Sequence, residues 1–197
     1  MSYVDELKIV WMMPMRTATR SSTALIRDYS TFTSRGHDLT LPIGKEHYTL
    51  IFNIRNPLPR IVSIYWLWGL HHGNYKKNFK DWLFSYKKWQ NLYQLHLDKY
   101  ISVLPKPPDY FVRTEYFDDD LKRITELKEH FISLGRTYDD NVLNNAYVTE
   151  FNGKTDKIRF PWYSEYDELS AEFVHEICRK QFDLFNYNPN YWKDGTP

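Results

Sequence analysis

Cysteine is nearly absent from the 197 residues, and the one present, Cys178, cannot form an internal disulfide. Glycine is sparse too: none occurs before Gly36, and the Walker A pattern G-x-x-x-x-G-K-[ST] is missing, which disfavours ordinary ATP or GTP hydrolysis. No apolar run reaches membrane length and no basic-plus-apolar leader opens the chain, so a soluble, cytoplasmic protein without a membrane segment is expected. A formal net charge of +1 lacks the excess of Lys and Arg that a globally basic nucleic-acid binder carries, and no nucleic-acid partner is expected. Repeats, low-complexity tracts and long Gly/Ser/Pro linkers are also missing. One domain spanning residues 1–197 is the economical expectation.

What the chain does have is an ordinary globular balance, 42% hydrophobic and 26% charged, with a high aromatic content of 18%. Aromatic side chains fill cores and also line sugar or base sites. Strand-like runs are Lys8–Met13, Tyr48–Ile54 and Tyr110–Arg113, and helix-like stretches are expected from about Ser22 to Tyr29, from Pro59 onward, from Asp118 to about Leu134 and from Ser164 to Phe185. Ser164 and Asp167 supply a capping-box-like start to the last helix. Alternating strands and helices predict an α/β fold with a central parallel sheet flanked by helices.

Two strand-to-helix turns carry the chemistry. In the second, Arg55-Asn56-Pro57-Leu58-Pro59-Arg60-Ile61-Val62-Ser63 follows an apolar strand. Asn56 precedes a proline and is held extended, and Pro59 has the φ of a first helical residue. Ile61, Ile64, Tyr65 and Trp68 make the apolar face, which leaves Arg60 and Ser63 on another one. Arg55 falls at the carboxyl end of the strand, where open α/β sheets bind ligands, and its guanidinium can grip a phosphate bidentately while Ser63 adds a neutral donor. In the first turn, Arg16-Thr17-Ala18-Thr19-Arg20-Ser21-Ser22 places small and hydroxylated residues between two arginines, and such a turn aims backbone N–H groups at an anion. Two such turns in one sheet suit a molecule with phosphates at both ends.

With these residues the chain resembles the sulfotransferase family, in particular its carbohydrate-type branch, over most of its length. The Arg16–Ser21 loop is similar to the family's binding loop for the 5'-phosphosulfate of 3'-phosphoadenosine 5'-phosphosulfate (PAPS). Arg55, Asn56, Pro57, Arg60, Ser63 and Tyr65 match, in order, the signature that holds the donor's 3'-phosphate. Asn78–Leu83, Arg113-Thr114-Glu115 with Asp120-Leu121, and the ending His175–Tyr187 look like later family segments, and Asn152-Gly153-Lys154 looks like a loop lying over the cofactor. The resemblance implies a three-layer fold like that of the P-loop NTPases. It also implies in-line transfer of a sulfuryl group to a hydroxyl acceptor, a glycan, with 3'-phosphoadenosine 5'-phosphate (PAP) as product and no metal required. The donor-binding residues it implies are Arg16, Thr17, Ala18, Thr19, Arg20, Ser21, Ser22, Arg55, Ser63, Asn152 and Lys154.

Two features qualify the match. Arg16 stands where the family usually has lysine, and a guanidinium neutralises charge but does not readily donate its proton. The family's base commonly lies in a Gly-His or Thr-His turn between the two motifs, which points to His37 after Gly36 as the general base, with His71 and His72 bordering the acceptor. Glu46 and Glu115 are alternative carboxylate bases. The Tyr75–Trp89 segment interleaves basic and aromatic residues, a pattern that suits an acidic sugar polymer or single strand and equally a solvated helix. Other classes stay open: a P-loop-like phosphotransferase, or a non-catalytic nucleotide- or glycan-binding module.

Overall fold

The computed structural model describes residues 1–72, 78–85, 95–125, 127, 150–151, 154–155 and 162–194. In chain order the elements are β1 (Ser2–Val4), β2 (Ile9–Met12), α1 (Thr19–Ile26), β3 (Phe32–Ser34), β4 (Thr49–Ile54), α2 (Pro57–His72), α3 (Phe79–Phe84), α4 (Leu97–Ser102), β5 (Tyr110–Arg113), α5 (Phe117–Leu121), β6 (Glu150–Phe151), β7 (Lys154–Thr155), α6 (Glu168–Phe185) and α7 (Tyr191–Asp194). Short 3-10 turns cover Thr114–Tyr116 and Trp162–Glu165. The chain divides into two compact units, Met1–Ile54 with Leu104–Arg159 and Arg55–Val103 with Phe160–Pro197.

The first unit is α/β. Its sheet has five strands in the order β3-β1-β2-β4-β5. β2, β4 and β5 run parallel, as expected, but β1 pairs antiparallel with both β2 and β3, so the sheet is mixed and not parallel throughout. β1 and β3 are three residues each, too short to show an alternation that a sequence reading can separate from a loop. Because β3 is antiparallel to β1 and β1 to β2, β3 and β2 point the same way. The segments that leave β2, β3, β4 and β5 therefore emerge at one edge.

Side chains alternate across this sheet. Val4, Ile9, Trp11, Ile51 and Val112 share one face, packed against Ile26 of α1 and Phe117 and Leu121 of α5. The other face, with Val10, Met12, Leu50 and Phe52, is equally buried, as strands of a parallel sheet require. Each fully buried large apolar side chain stabilises the unit by about 1.5–3 kcal/mol.

Helix boundaries differ from expectation for local reasons. α1 starts at Thr19 and not near Ser22, because Ala18 takes a left-handed conformation (φ 58°) as N-cap and the chain enters the helix at once. After β5, the chain forms the 3-10 turn and then α5 with Tyr116 as N-cap, so Asp118 lies in the first turn and is not the cap; positions 126 and 128–134 of the expected helix lie outside the described residues. Asp120 is instead drawn back onto the strand: its carboxylate accepts from Arg113 Nε (2.8 Å), Arg113 Nη2 (2.6 Å) and the Arg113 backbone N–H (2.9 Å).

In the second unit α2 packs against α6 and against the Trp162–Glu165 turn. Tyr65, Phe79, Trp82 and Tyr166 build an aromatic layer, with ring centroids 5.4 Å apart for Tyr65–Phe79 and Tyr65–Trp82 and 5.1 Å for Phe79–Tyr166. α2 begins at Pro57, two residues before Pro59. Both prolines fit its first turn because N–H groups there have no intrahelical partner to lose.

The capping box of α6 also forms one turn later than expected. Asp167 is the N-cap, its Oδ1 accepting the Ser170 N–H (3.0 Å) while Ser170 Oγ accepts the Asp167 N–H (2.9 Å); Ser164 belongs to the 3-10 turn. At the far end Asn186 is left-handed (φ 52°) and Tyr187 N–H returns to Phe182 O, closing the helix.

Lys80 Nζ lies 2.5 Å from Asp167 Oδ2, and this contact first, then the Ser170 bonds, hold the Asp167 carboxyl well below the usual carboxylate range. A depressed folded-state pKa contributes stability that is present above the unfolded value, near 3.8, and lost as pH falls toward the folded value. Asp167→Ala is therefore expected to lower the thermal midpoint at neutral pH and to flatten its fall below about pH 4 relative to the parent. Parallel thermal melts in a pH series check this; equal slopes in acid reject it.

Candidate functional site

In the first unit the site residues gather where β2, β3 and β4 end. The β2–α1 loop holds two non-glycine residues in the left-handed region, Arg16 (φ 64°) and Ala18 (φ 58°). Each costs roughly 1–2 kcal/mol, and such outliers persist only where surroundings over-determine them. Here Thr17, between them and fully buried, is clamped at both ends. Its Oγ1 donates to Pro14 O (2.7 Å), and its carbonyl accepts from Asn53 Nδ2 (2.6 Å).

Asn53 is the residue that sequence reasoning missed. It lies inside β4 with no exposed surface and makes three bonds, accepting from Trp11 Nε1 (2.7 Å) and donating to Thr17 O and to Ser22 Oγ (2.7 Å). Its amide orientation follows from its partners, since an indole N–H only donates and a carbonyl only accepts. Burying an amide without partners costs roughly 2–7 kcal/mol, so one polar residue in the apolar run Leu50–Ile54 was the available signal.

These bonds sort the predicted loop residues. The hydroxyls of Thr17 and Ser22 face inward and hold the turn, and Ser21 is buried. Thr19 Oγ1 also donates to Pro14 O (3.2 Å). Arg16 and Arg20 are exposed, and α1 has no acidic residue in its first turn. The hydroxyls of Thr17, Thr19 and Ser22 are therefore engaged within the protein, while Arg16 and Arg20 stand exposed beside the start of α1.

His37 reaches the same edge. β3 ends at Ser34, Gly36 turns the chain with φ 59°, a conformation that favours glycine, and His37 Nδ1 lies 3.0 Å from Met13 O. The carbonyl can only accept, so Nδ1 carries the proton and the lone pair of the neutral imidazole is on Nε2. Met13 immediately follows β2 and precedes the loop, so the imidazole is anchored at the loop's root. Thr114 Oγ1 donates to Ile54 O (3.0 Å) and ties the exit of β5 to the last residue of β4.

In the second unit Arg55 is half-buried and Asn56 fully buried, its Oδ1 accepting the Leu58 N–H (3.0 Å) to cap α2. Ser63 is half-buried on α2. Arg60 is not on a presented face as expected: it has no exposed surface, and its Nη1 donates to Leu95 O (3.1 Å), which also accepts from Gln181 Nε2 (2.9 Å). Packing of α6 on α2 covers the face that helical spacing alone left open. Burial pushes the Arg60 pKa down to about 10, so the guanidinium stays charged at neutral pH.

Asn152 lies outside the described residues, as do the side chains of His71 and His72 and most of the Tyr75–Trp89 segment, and Lys154 opens β7 opposite Phe151. His175 is half-buried and packs edge-on against Phe182, while Cys178 is a core group whose thiol burial pushes up to about 12. A groove of about 410 Å³ between α4 and α6 is lined by His96, Asp98, Lys99, Glu176, Arg179 and Lys180. It contains no predicted site residue, and its alternating charges select no anion.

No family model, curated protein or solved structure matches the chain. Among the described residues, no helix is long and apolar enough to cross a membrane.

Proposed function

We propose that the chain is a PAPS-dependent sulfotransferase of the three-layer type acting on a carbohydrate hydroxyl. The observation that carries the reading is the contact of His37 Nδ1 with Met13 O, which assigns a proton to Nδ1 and leaves Nε2 as the nitrogen to act as base at the root of a strained, arginine-flanked strand-to-helix turn. The first turn of α1 carries no acidic residue, which favours an anion at that turn.

When bound, PAPS supplies an activated sulfuryl group on a phosphate leaving group. His37 Nε2 accepts the acceptor's hydroxyl proton as that oxygen bonds to sulfur. Arg16 and the N–H groups of the Thr17–Ser21 turn neutralise the charge that collects on the phosphate oxygen as its bond to sulfur breaks. Arg16 acts by charge alone, because a guanidinium does not give up its proton. The family resemblance assigns the 3'-phosphate to Arg55 and Ser63.

Calorimetric titration with PAP against ATP tests the donor assignment, and equal or tighter ATP binding sinks it. Arg55→Ala is expected to weaken PAP binding by about 10- to 100-fold, the effect of losing charge-assisted bonds, and Ser63→Ala by roughly 2- to 10-fold. An unchanged PAP affinity in Arg55→Ala removes the arginine from the donor site.

A further inference from the structure

The second unit carries an aromatic surface that neither the donor nor the base explains. The Trp162–Glu165 turn is 3-10, three residues per turn, so Trp162 and Glu165 project on the same side. The Trp162 ring touches Tyr191 of α7 (centroids 4.8 Å, planes 54° apart) and Tyr163 (6.2 Å, 77°). Tyr163 is 54% exposed, and Trp162 and Tyr191 are half-buried. Beside them the half-buried Glu165 carboxylate meets no hydrogen-bond donor or cation among the described residues, and burial alone pushes its pKa up. The neighbouring cation is already engaged: Lys193 Nζ lies 3.3 Å from Glu168 Oε1 and over the Trp192 ring.

From this juxtaposition we infer that Trp162, Tyr163 and Tyr191 with Glu165 form a binding surface for a neutral sugar. Aromatic rings offer an apolar face to the C–H side of a pyranose, and a carboxylate accepts from the sugar's hydroxyls. Trp162 touches both tyrosine rings, which leaves no slot between them to clasp an ammonium ion from opposite sides. Glu165 selects against acidic sugars by repulsion, in contrast to what the basic Tyr75–Trp89 sequence suggests. The surface lies within one unit and needs no donor, so it stands or falls independently of sulfuryl transfer.

Calorimetry of the full chain with cellohexaose, without donor, tests it. Saturable binding with a dissociation constant at or below about 1 mM is expected. Trp162→Ala and the exposed-site variant Tyr163→Ala should each weaken it, the former at least tenfold, while Trp162→Phe retains most of it. Glu165→Gln should narrow the preference for cellohexaose over a hyaluronan hexasaccharide. Circular dichroism establishes that each variant folds, and if Trp162→Ala does not, Tyr163→Ala and Trp162→Phe decide. No binding at about 10 mM sugar, equal binding by the parent and Tyr163→Ala, or tighter binding of choline, adenosine monophosphate or the acidic hexasaccharide overturns the assignment.

Discussion

His37→Ala is expected to abolish turnover while leaving PAP affinity within about twofold of the parent, because the imidazole is assigned to the acceptor's proton and not to the donor. General-base catalysis contributes typically 10²–10⁴-fold, so kcat should fall by about that factor. The arrangement around the ring gives the prediction its specificity. Met13 O fixes the proton on Nδ1 and therefore the basic lone pair on Nε2. Glutamine at 37 can keep a hydrogen bond to Met13 O but has no nitrogen lone pair to act as base, so His37→Gln should preserve folding and be as inactive as alanine. Transfer of labelled sulfate from PAPS to a panel of glycans, phenols and peptides measures turnover, and calorimetry measures PAP binding. A fully active His37→Ala protein refutes the base assignment; loss of PAP binding with turnover would instead make His37 part of the donor site.

Asn53→Leu is expected to be the most destabilising single change near the site. Leucine has the same branched skeleton, though bulkier, and strands the Trp11 indole N–H and the Thr17 carbonyl, both buried, and releases Ser22 Oγ. Each buried group left without a partner costs about 1–3 kcal/mol, so a total of about 3–5 kcal/mol is expected, less than strict additivity because the partners share one pocket. Unfolding in urea, followed by circular dichroism, reads this as a lower midpoint at unchanged slope. The loop should suffer beyond the loss of stability: without the Asn53 clamp, Arg16 and Ala18 can relax from their left-handed conformations, and PAP affinity should drop even under conditions where the variant is fully folded. A midpoint within 0.5 M urea of the parent, by order of magnitude about 1 kcal/mol, rejects the clamp.

Much of the fold was legible in the sequence because its signals are local. β4 and β5 were readable as runs of β-branched and aromatic residues, and Tyr110–Arg113 was placed to the residue. The entry to α2 was readable from the two prolines, although proline tolerance throughout a first turn hid which one begins the helix. The α6 cap was readable as a polar pair at capping-box spacing, but the chain offers that spacing twice, at Ser164–Asp167 and at Asp167–Ser170, and only packing selects between them. The reading of Arg60 failed for the opposite reason: helical periodicity reports which residues share a face, not whether another helix covers it.

The sequence by itself determined which residue types stand at the two strand-to-helix turns: small and hydroxylated residues between arginines in one, Arg-Asn-Pro in the other, and no glycine-rich phosphate loop. Tertiary structure alone decided what those residues do within the first turn. Thr17 and Ser22 face inward because Asn53, thirty-six residues from Thr17 along the chain, has donors that must be satisfied in a dry interior. His37 arrives at the turn because β3, too short to be seen in sequence, runs in the same direction as β2 through two antiparallel pairings. Both results come from contacts between distant segments, whose geometry no local propensity encodes.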